Sequence, residues 1–197
     1  MIINGSVSYI KLPADVEELL VAGARDESPV RGLTHSFYKY PARFSPSFAR
    51  AAIQAFTQPG DVCLDPHVGG GTTLVEAIAL GRKGIGVDIS ELAEFVAKIK
   101  TTIFEEAELE ALADWANRTS ASINMRYPSS SLREYESLGY YKHLNDPLRW
   151  RLRKAIEQSV HSAVQLSPPR LENFARCAIL RDCPMGTGRA EAVAEPR

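Results

Sequence analysis

Three consecutive glycines between a short apolar run and a helix-forming run constrain this chain more than any other feature. The block reads Val62-Cys63-Leu64-Asp65-Pro66-His67-Val68-Gly69-Gly70-Gly71-Thr72-Thr73. Val62 to Leu64 is apolar and bounded by turn residues, which is the pattern of a buried strand. Thr72 to Leu80 places Leu74 and Ile78 at helical spacing, and Gly81 stands where a helix end favours a left-handed residue. A glycine loop between a strand and a helix lets the backbone approach a ligand closely. The helix N-terminus adds N–H donors that have no helical partner.

The flanking segments extend this into a repeating order. Phe48, Ala51, Ala52, Ala55 and Phe56 fall at helical spacing and Pro59-Gly60 ends that helix; a short helix is also expected from Ala14 to Ala22. Ile85 to Ile89 reads as a second strand, and Ser90 is a favoured cap for a further helix carrying Glu91 and Glu94 near its positive end. Strands alternating with helices predict a parallel sheet with right-handed crossovers, hence an α/β, Rossmann-like domain. After Lys100 the character changes. Glu105 to Arg118 forms an acidic amphipathic helix, and no third strand is legible. Pro128, three serines and Gly139 mark a linker, Asp146-Pro147 opens a helix with Leu148, Leu152, Ile156 and Val160 as its apolar stripe, and Leu171 to Leu180 forms another. The expected organisation is an arm at 1–34, a cofactor-binding Rossmann-like core at 35–100, a mostly helical segment at 101–180 and a disordered tail at 181–197.

Phosphate readings of the glycine loop fail on single residues. A P-loop needs Lys-Ser or Lys-Thr at its end, where this chain has Thr72-Thr73, and a dinucleotide fingerprint needs glycine where Leu74 stands. What remains is an acid at the strand end, a proline, then glycine, one residue, glycine and threonine. Asp65 would present its carboxylate at the carboxyl end of the sheet, where a cationic ammonium or sulfonium group could sit. The bland alternative is a structural strand-to-helix turn. Asp88 stands at the end of the second strand; it either accepts the two ribose hydroxyls of an adenosine or partners the N-terminus of the helix that follows.

This block resembles the S-adenosylmethionine loop of DNA methyltransferases that act on adenine N6 or cytosine N4, with His67 in place of the usual phenylalanine. The resemblance implies an S-adenosylmethionine-dependent methyltransferase fold, here incomplete and with an added helical segment. It implies cofactor contacts from Asp65, Pro66, Gly69, Gly71 and Thr72, and makes Asp88 the ribose acid. His35 to Pro46 resembles the segment that precedes the cofactor loop in this family, so Pro41, Ala42 and Phe44 would wall the methionine end. An aromatic-rich structural segment is the plainer alternative there. His67 reads as a loop packing residue or, more weakly, as a base.

Methylation of an exocyclic amino group needs a pocket that holds a flipped base and accepts hydrogen bonds from its amino group. The family supplies this with Asp, Ser or Asn followed by Pro-Pro and an aromatic at a later strand end. The corresponding run here is Ser167-Pro168-Pro169, with Arg170 in the aromatic place, and it reads as a helix-breaking linker or a degenerate catalytic loop. The resemblance therefore implies the cofactor-binding portion of such an enzyme, apparently truncated, with DNA as partner and a separately encoded catalytic half as a further one. The other readings are a methyltransferase-like binding module without turnover and a methyltransferase acting on RNA.

Composition adds limits. A formal net charge of -1 gives no global basic signature, so nucleic-acid contact has to come from local patches. Arg31, Lys39, Arg43 and Arg50 lie in an acid-free stretch from Ser28 to Gly60, and Arg149, Arg151, Arg153 and Lys154 surround Trp150; the second cluster suits DNA or a solvated helix face. Cys63, Cys177 and Cys183 show no metal or disulfide spacing, which suits reduced thiols. No signal segment or membrane span is legible, so a cytoplasmic location is expected.

Overall fold

The computed structural model describes residues 11–41, 44–126 and 149–182. The expectations for Ala42, Arg43, the 128–139 linker, the Asp146-Pro147 cap with Leu148, Cys183 and most of the tail lie outside the described residues. The chain divides into two compact units, residues 1–101 and 102–197.

The first unit contains α1 (Ala14–Arg25), α2 (Pro46–Phe56), β1 (Val62–Asp65), α3 (Thr72–Ala79), β2 (Lys83–Gly86) and α4 (Glu91–Thr101). The strands pair in parallel, with Val62 opposite Lys83 and Asp65 opposite Gly86. Parallel neighbours need a crossover, and α3 provides it. Ser45 caps α2, accepting from the Phe48 N–H at 3.3 Å, and Pro46 occupies the first turn where its missing N–H costs nothing. Ser90 caps α4 in the same way, through the Ala93 N–H at 3.4 Å. Gly81 takes φ +75°, the left-handed end expected after α3. The first helix runs one turn beyond the expected Ala22, to Arg25, and packs against α2 where Gly23 passes the backbone of Ser47 and Phe48: a methyl group on Gly23 would stand 3.0 Å from the Ser47 carbonyl.

The second strand departs from expectation. The sequence predicts Ile85 to Ile89, but the ladder runs from Lys83 to Gly86. Its partner sets these bounds. The Lys83 N–H reaches the Asp61 carbonyl at 2.8 Å and the Val87 N–H reaches the Asp65 carbonyl at 2.9 Å; beyond Asp65 the next residue is Pro66, which has no N–H to offer. Asp88 therefore lies past the strand rather than at its last position.

The third helix is the hub of this unit. Its neighbours are both strands, α2 and α4. Leu74 packs with Val68 and Ala97, while Ala77 packs with Ile53 and Cys63. Gly84 and Gly86 let it sit this deep: a methyl group on Gly84 would stand 2.8 Å from Leu74 Cδ2, and one on Gly86 would stand 2.6 Å from Val68 Cγ2. The other face of the pair stays open, with Val62, Leu64 and Ile85 all more than half exposed.

The second unit contains α5 (Glu106–Ser122), α6 (Trp150–Ala163) and α7 (Pro169–Asp182). The Glu105 N–H donates to Glu108 Oε2 at 3.0 Å, closing the start of α5. Ser162 of α6 accepts from Trp115 Nε1 at 3.0 Å, and Arg170 Nε meets Glu108 Oε1 at 2.5 Å. Phe104 and Phe174 pack edge to face at 5.2 Å. Among the described residues no helix is long and apolar enough to cross a membrane.

Because only one face of the strand pair is covered, stability should be sharply asymmetric across it. Leu74→Ala is expected to cost about 2–5 kcal/mol in equilibrium urea unfolding. Leu64→Ser, on the open face, should stay within about 0.5 kcal/mol of the parent. Equal losses for the two would show that the open face is covered in solution.

Candidate cofactor-binding site

The site forms at the carboxyl end of the two strands. Asp65 closes β1, and its Oδ1 accepts the His67 N–H at 3.0 Å, which turns the chain out of the strand. The Val68 N–H then returns to the Val87 carbonyl at 3.0 Å, and the Gly71 N–H closes on the Val68 carbonyl at 2.7 Å. Gly69 and Gly71 have φ of +47° and +76°, conformations that cost little for glycine and more for a residue with a side chain. Gly71 also passes α4 closely: a methyl group there would stand 3.0 Å from Ala97 Cα. Gly71 begins the helix as its cap, and the first helical bond runs from Val75 to the Gly71 carbonyl at 3.0 Å. The amides of Thr72, Thr73 and Leu74 thus have no helical acceptor.

Asp88 ties the second strand to this loop. Its Oδ2 accepts the Gly69 N–H at 2.9 Å and its Oδ1 accepts the Ser90 N–H at 2.9 Å. The bond from Ser90 and then that from Gly69 hold its pKa below the ordinary 3.8, since both favour the charged form. A cavity of about 310 Å³ borders Asp88, with Glu94, Lys98 and Thr101 of α4 on its wall.

Of the residues singled out from sequence, Asp65, Gly69, Gly71, Thr72 and Asp88 come together at this strand end, joined through the contacts above. Pro66 and His67 are exposed on the turn. Pro41 is exposed, and Phe44 packs edge-on against Phe48 of α2 with ring centroids 5.4 Å apart. Ser167, Pro168 and Pro169 lie in the connection between α6 and α7, with Pro169 the first residue of α7, and so stand at no strand end. Arg151 and Lys154 lie over the Trp150 ring at 5.5 and 5.8 Å.

Two side chains at the loop were not singled out from sequence. Tyr40 lies along it, its ring 3.6 Å from where a methyl group on Gly69 would stand. Lys100, buried at the end of α4, donates to the Gly70 carbonyl at 3.0 Å. Tyr40 was visible only as one aromatic among several, and a lysine in a helix thirty residues from the loop carries no sequence signal. Beside them, buried Glu76 of α3 pairs with His35 Nε2 at 2.7 Å and Arg50 Nε at 2.8 Å.

The match to a family model falls on this same unit. Residues 21–98 match the DNA methylase family model. The chain is 31% identical over 86 residues to the type II methyltransferase M.MjaII of Methanocaldococcus jannaschii, a stretch covering 43% of this chain and 16% of that protein. It is 37% identical over 86 residues to the type II methyltransferase M.MvaI of Kocuria varians, covering 42% and 19%. With the DNA adenine methyltransferase YhdJ of Escherichia coli it shares 30% over 97 residues, covering 49% and 33%. The chain thus spans a third or less of the length of these relatives. No solved structure gives a significant match. What residues 21–98 resemble is thus a DNA methylase, and the relatives that share part of this chain are DNA methyltransferases by name.

The lowered pKa of Asp88 sets a pH dependence. Because its folded pKa lies below the unfolded 3.8, its contribution to stability is present above that value and is lost as pH falls through the folded pKa. A carboxyl NMR titration should place the Asp88 midpoint below 3.8. Asp88→Asn should flatten part of the acid-side fall in melting temperature; an unshifted midpoint would show that the Gly69 and Ser90 bonds do not persist in solution.

Proposed function

We propose that this chain carries the S-adenosylmethionine-binding portion of a DNA methyltransferase acting on an exocyclic amino group of adenine or cytosine. The observation that carries the reading is the meeting of Asp65, the glycine loop and Asp88 at one strand end, inside the segment matched by the family. The residues present fit the cofactor. Thr72, Thr73 and Leu74 offer amides without helical acceptors, and glycine lines the approach, with a methyl group tolerated at neither Gly70 nor Gly71. Asp88 uses one bond per oxygen, out of roughly four lone-pair sites on a carboxylate.

In this assignment Asp88 accepts the ribose hydroxyls with its remaining lone pairs, and Asp65 faces the cationic end of the ligand. The loop amides and the start of α3 receive its polar groups. Pro66, Gly69, Gly71 and Thr72 shape the loop, and Pro41, Ala42 and Phe44 belong to the segment leading into it. The cofactor supplies an activated methyl group. Holding that group in line with an amino nitrogen is a matter of position and orientation, which is worth many orders of magnitude in rate. The base pocket is a different matter. Pro168-Pro169 is the chain's one pair of adjacent prolines, and it joins two helices. We therefore assign donor binding to this chain and no transfer by it in isolation; DNA is the substrate class, in keeping with the relatives.

Titration calorimetry with S-adenosylmethionine should show saturable binding that Asp88→Ala weakens by about 1–3 kcal/mol, the cost of removing one partner of a charged hydrogen bond. Affinity unchanged by both Asp88→Ala and Asp65→Ala would sink the reading. Tritiated-methyl transfer to mixed genomic DNA should stay at background for the chain alone. Incorporation that disappears in Ser167→Ala would instead make Ser167-Pro168-Pro169 catalytic.

A further inference from the structure

The glycine loop is held at its middle by two side chains, and the arrangement has the form of a clamp. Gly70 carries its carbonyl to Lys100 Nζ at 3.0 Å. Lys100 is only 4% exposed, so its amine sits among protein groups, where a polar contact is worth more than at the surface and costs more to lose. Tyr40 crowds the same glycine: a methyl group on Gly70 would lie 2.8 Å from Tyr40 Cβ and 3.6 Å from Lys100 Nζ. Gly70 is thus confined by the two. The segment bearing Tyr40 is tied to the same helix end, because Thr34 Oγ1 donates to the Lys100 carbonyl at 2.8 Å.

We infer that Lys100, with Tyr40 against the same glycine, is a positioning residue that fixes the Gly70 peptide and thereby orders the cofactor loop before the ligand arrives. The inference deepens the cofactor-binding reading and rests on it for its functional consequence. Asp88 fixes the Gly69 amide and the Val68 carbonyl fixes that of Gly71. Neither touches the Gly70 carbonyl. Three glycines in a row would otherwise leave the largest conformational freedom where a ligand needs the backbone in one place. Lys100 removes that freedom from below the loop, with no need to touch the ligand.

The test uses the full chain and two readouts. Lys100→Met keeps the aliphatic stem and removes the donor. In the absence of ligand, amide hydrogen exchange across residues 69–73 is expected to rise about tenfold, and S-adenosylmethionine affinity to fall about tenfold or more. Ile53→Val, in the core between α2 and β1, controls for stability: it should lower the melting temperature and leave both readouts unchanged. Should Lys100→Met fail to fold, Gly70→Ala sets a methyl group against Tyr40 Cβ and forces the Gly70 peptide to shift from the place where Lys100 holds it; it is expected to give the same two changes. Unchanged loop exchange in the variant that folds overturns the clamp, whatever the ligand does. Failure of the parent chain to bind S-adenosylmethionine overturns the cofactor reading instead, and the exchange comparison still decides whether Lys100 orders the loop.

Discussion

The arrangement depends on how closely α3 approaches the two strands. Gly84 and Gly86 give β2 a face without side chains, into which Leu74 and Val68 settle at distances no methyl group would allow. Gly71 does the same toward Ala97 of α4. The helix is therefore seated low enough for its N-terminus to meet the strand ends, and Asp65 and Asp88 reach the loop from the strands on either side. The site is a consequence of this packing. Side chains at these three glycines would lift the helix, and the loop amides would no longer stand beside the two acids.

The same packing explains a charge buried on α3. Glu76 belongs to the face of α3 turned inward, at 3% exposure, and a carboxylate there is tolerable only with partners. His35 and Arg50 provide them from the leading segment and from α2. Removing both partners would leave a buried charge uncompensated, which costs far more than such pairs contribute. The opposite face of the strand pair carries no such demands. Val62, Leu64 and Ile85 there remain in contact with water, so the unit draws its cohesion from the α3 side alone.

Much of the first unit was legible because each element carried its own punctuation. Ser90 announces a helix, Pro59-Gly60 and Gly81 end others, and the glycine run joins strand to helix. The end of β2 was not legible. Apolar character continues through Ile89, but a strand lasts only as long as its partner, and Pro66 ends β1 first. The placing of Asp65 and Asp88 beside the loop was legible because acids at strand ends next to glycine loops have a chemistry of their own. Tyr40 and Lys100 were missed for the converse reason: an aromatic and a lysine are common in roles that need no site, and only the fold brings them to Gly70. In the second unit, periodicity located the helices, yet the contacts joining them, such as Trp115 with Ser162 and Glu108 with Arg170, have no signature in sequence.

Of the two sequence readings of Asp88, the structure contains the contact to the following helix and adds one to the loop. As a helix partner it accepts the Ser90 N–H, and as a loop anchor it accepts the Gly69 N–H, one bond to each oxygen. Both bonds come from backbone amides, so both favour the ionised form and lower its pKa. An acid kept ionised is an acceptor only, with no proton of its own to place. In the proposed function that is the state that would receive hydroxyl donors; an aspartate holds it at neutral pH in any case, and the two amide bonds extend it to lower pH. The structural contacts orient the carboxylate and hold its charge, while the lone pairs they leave are those a ribose would use.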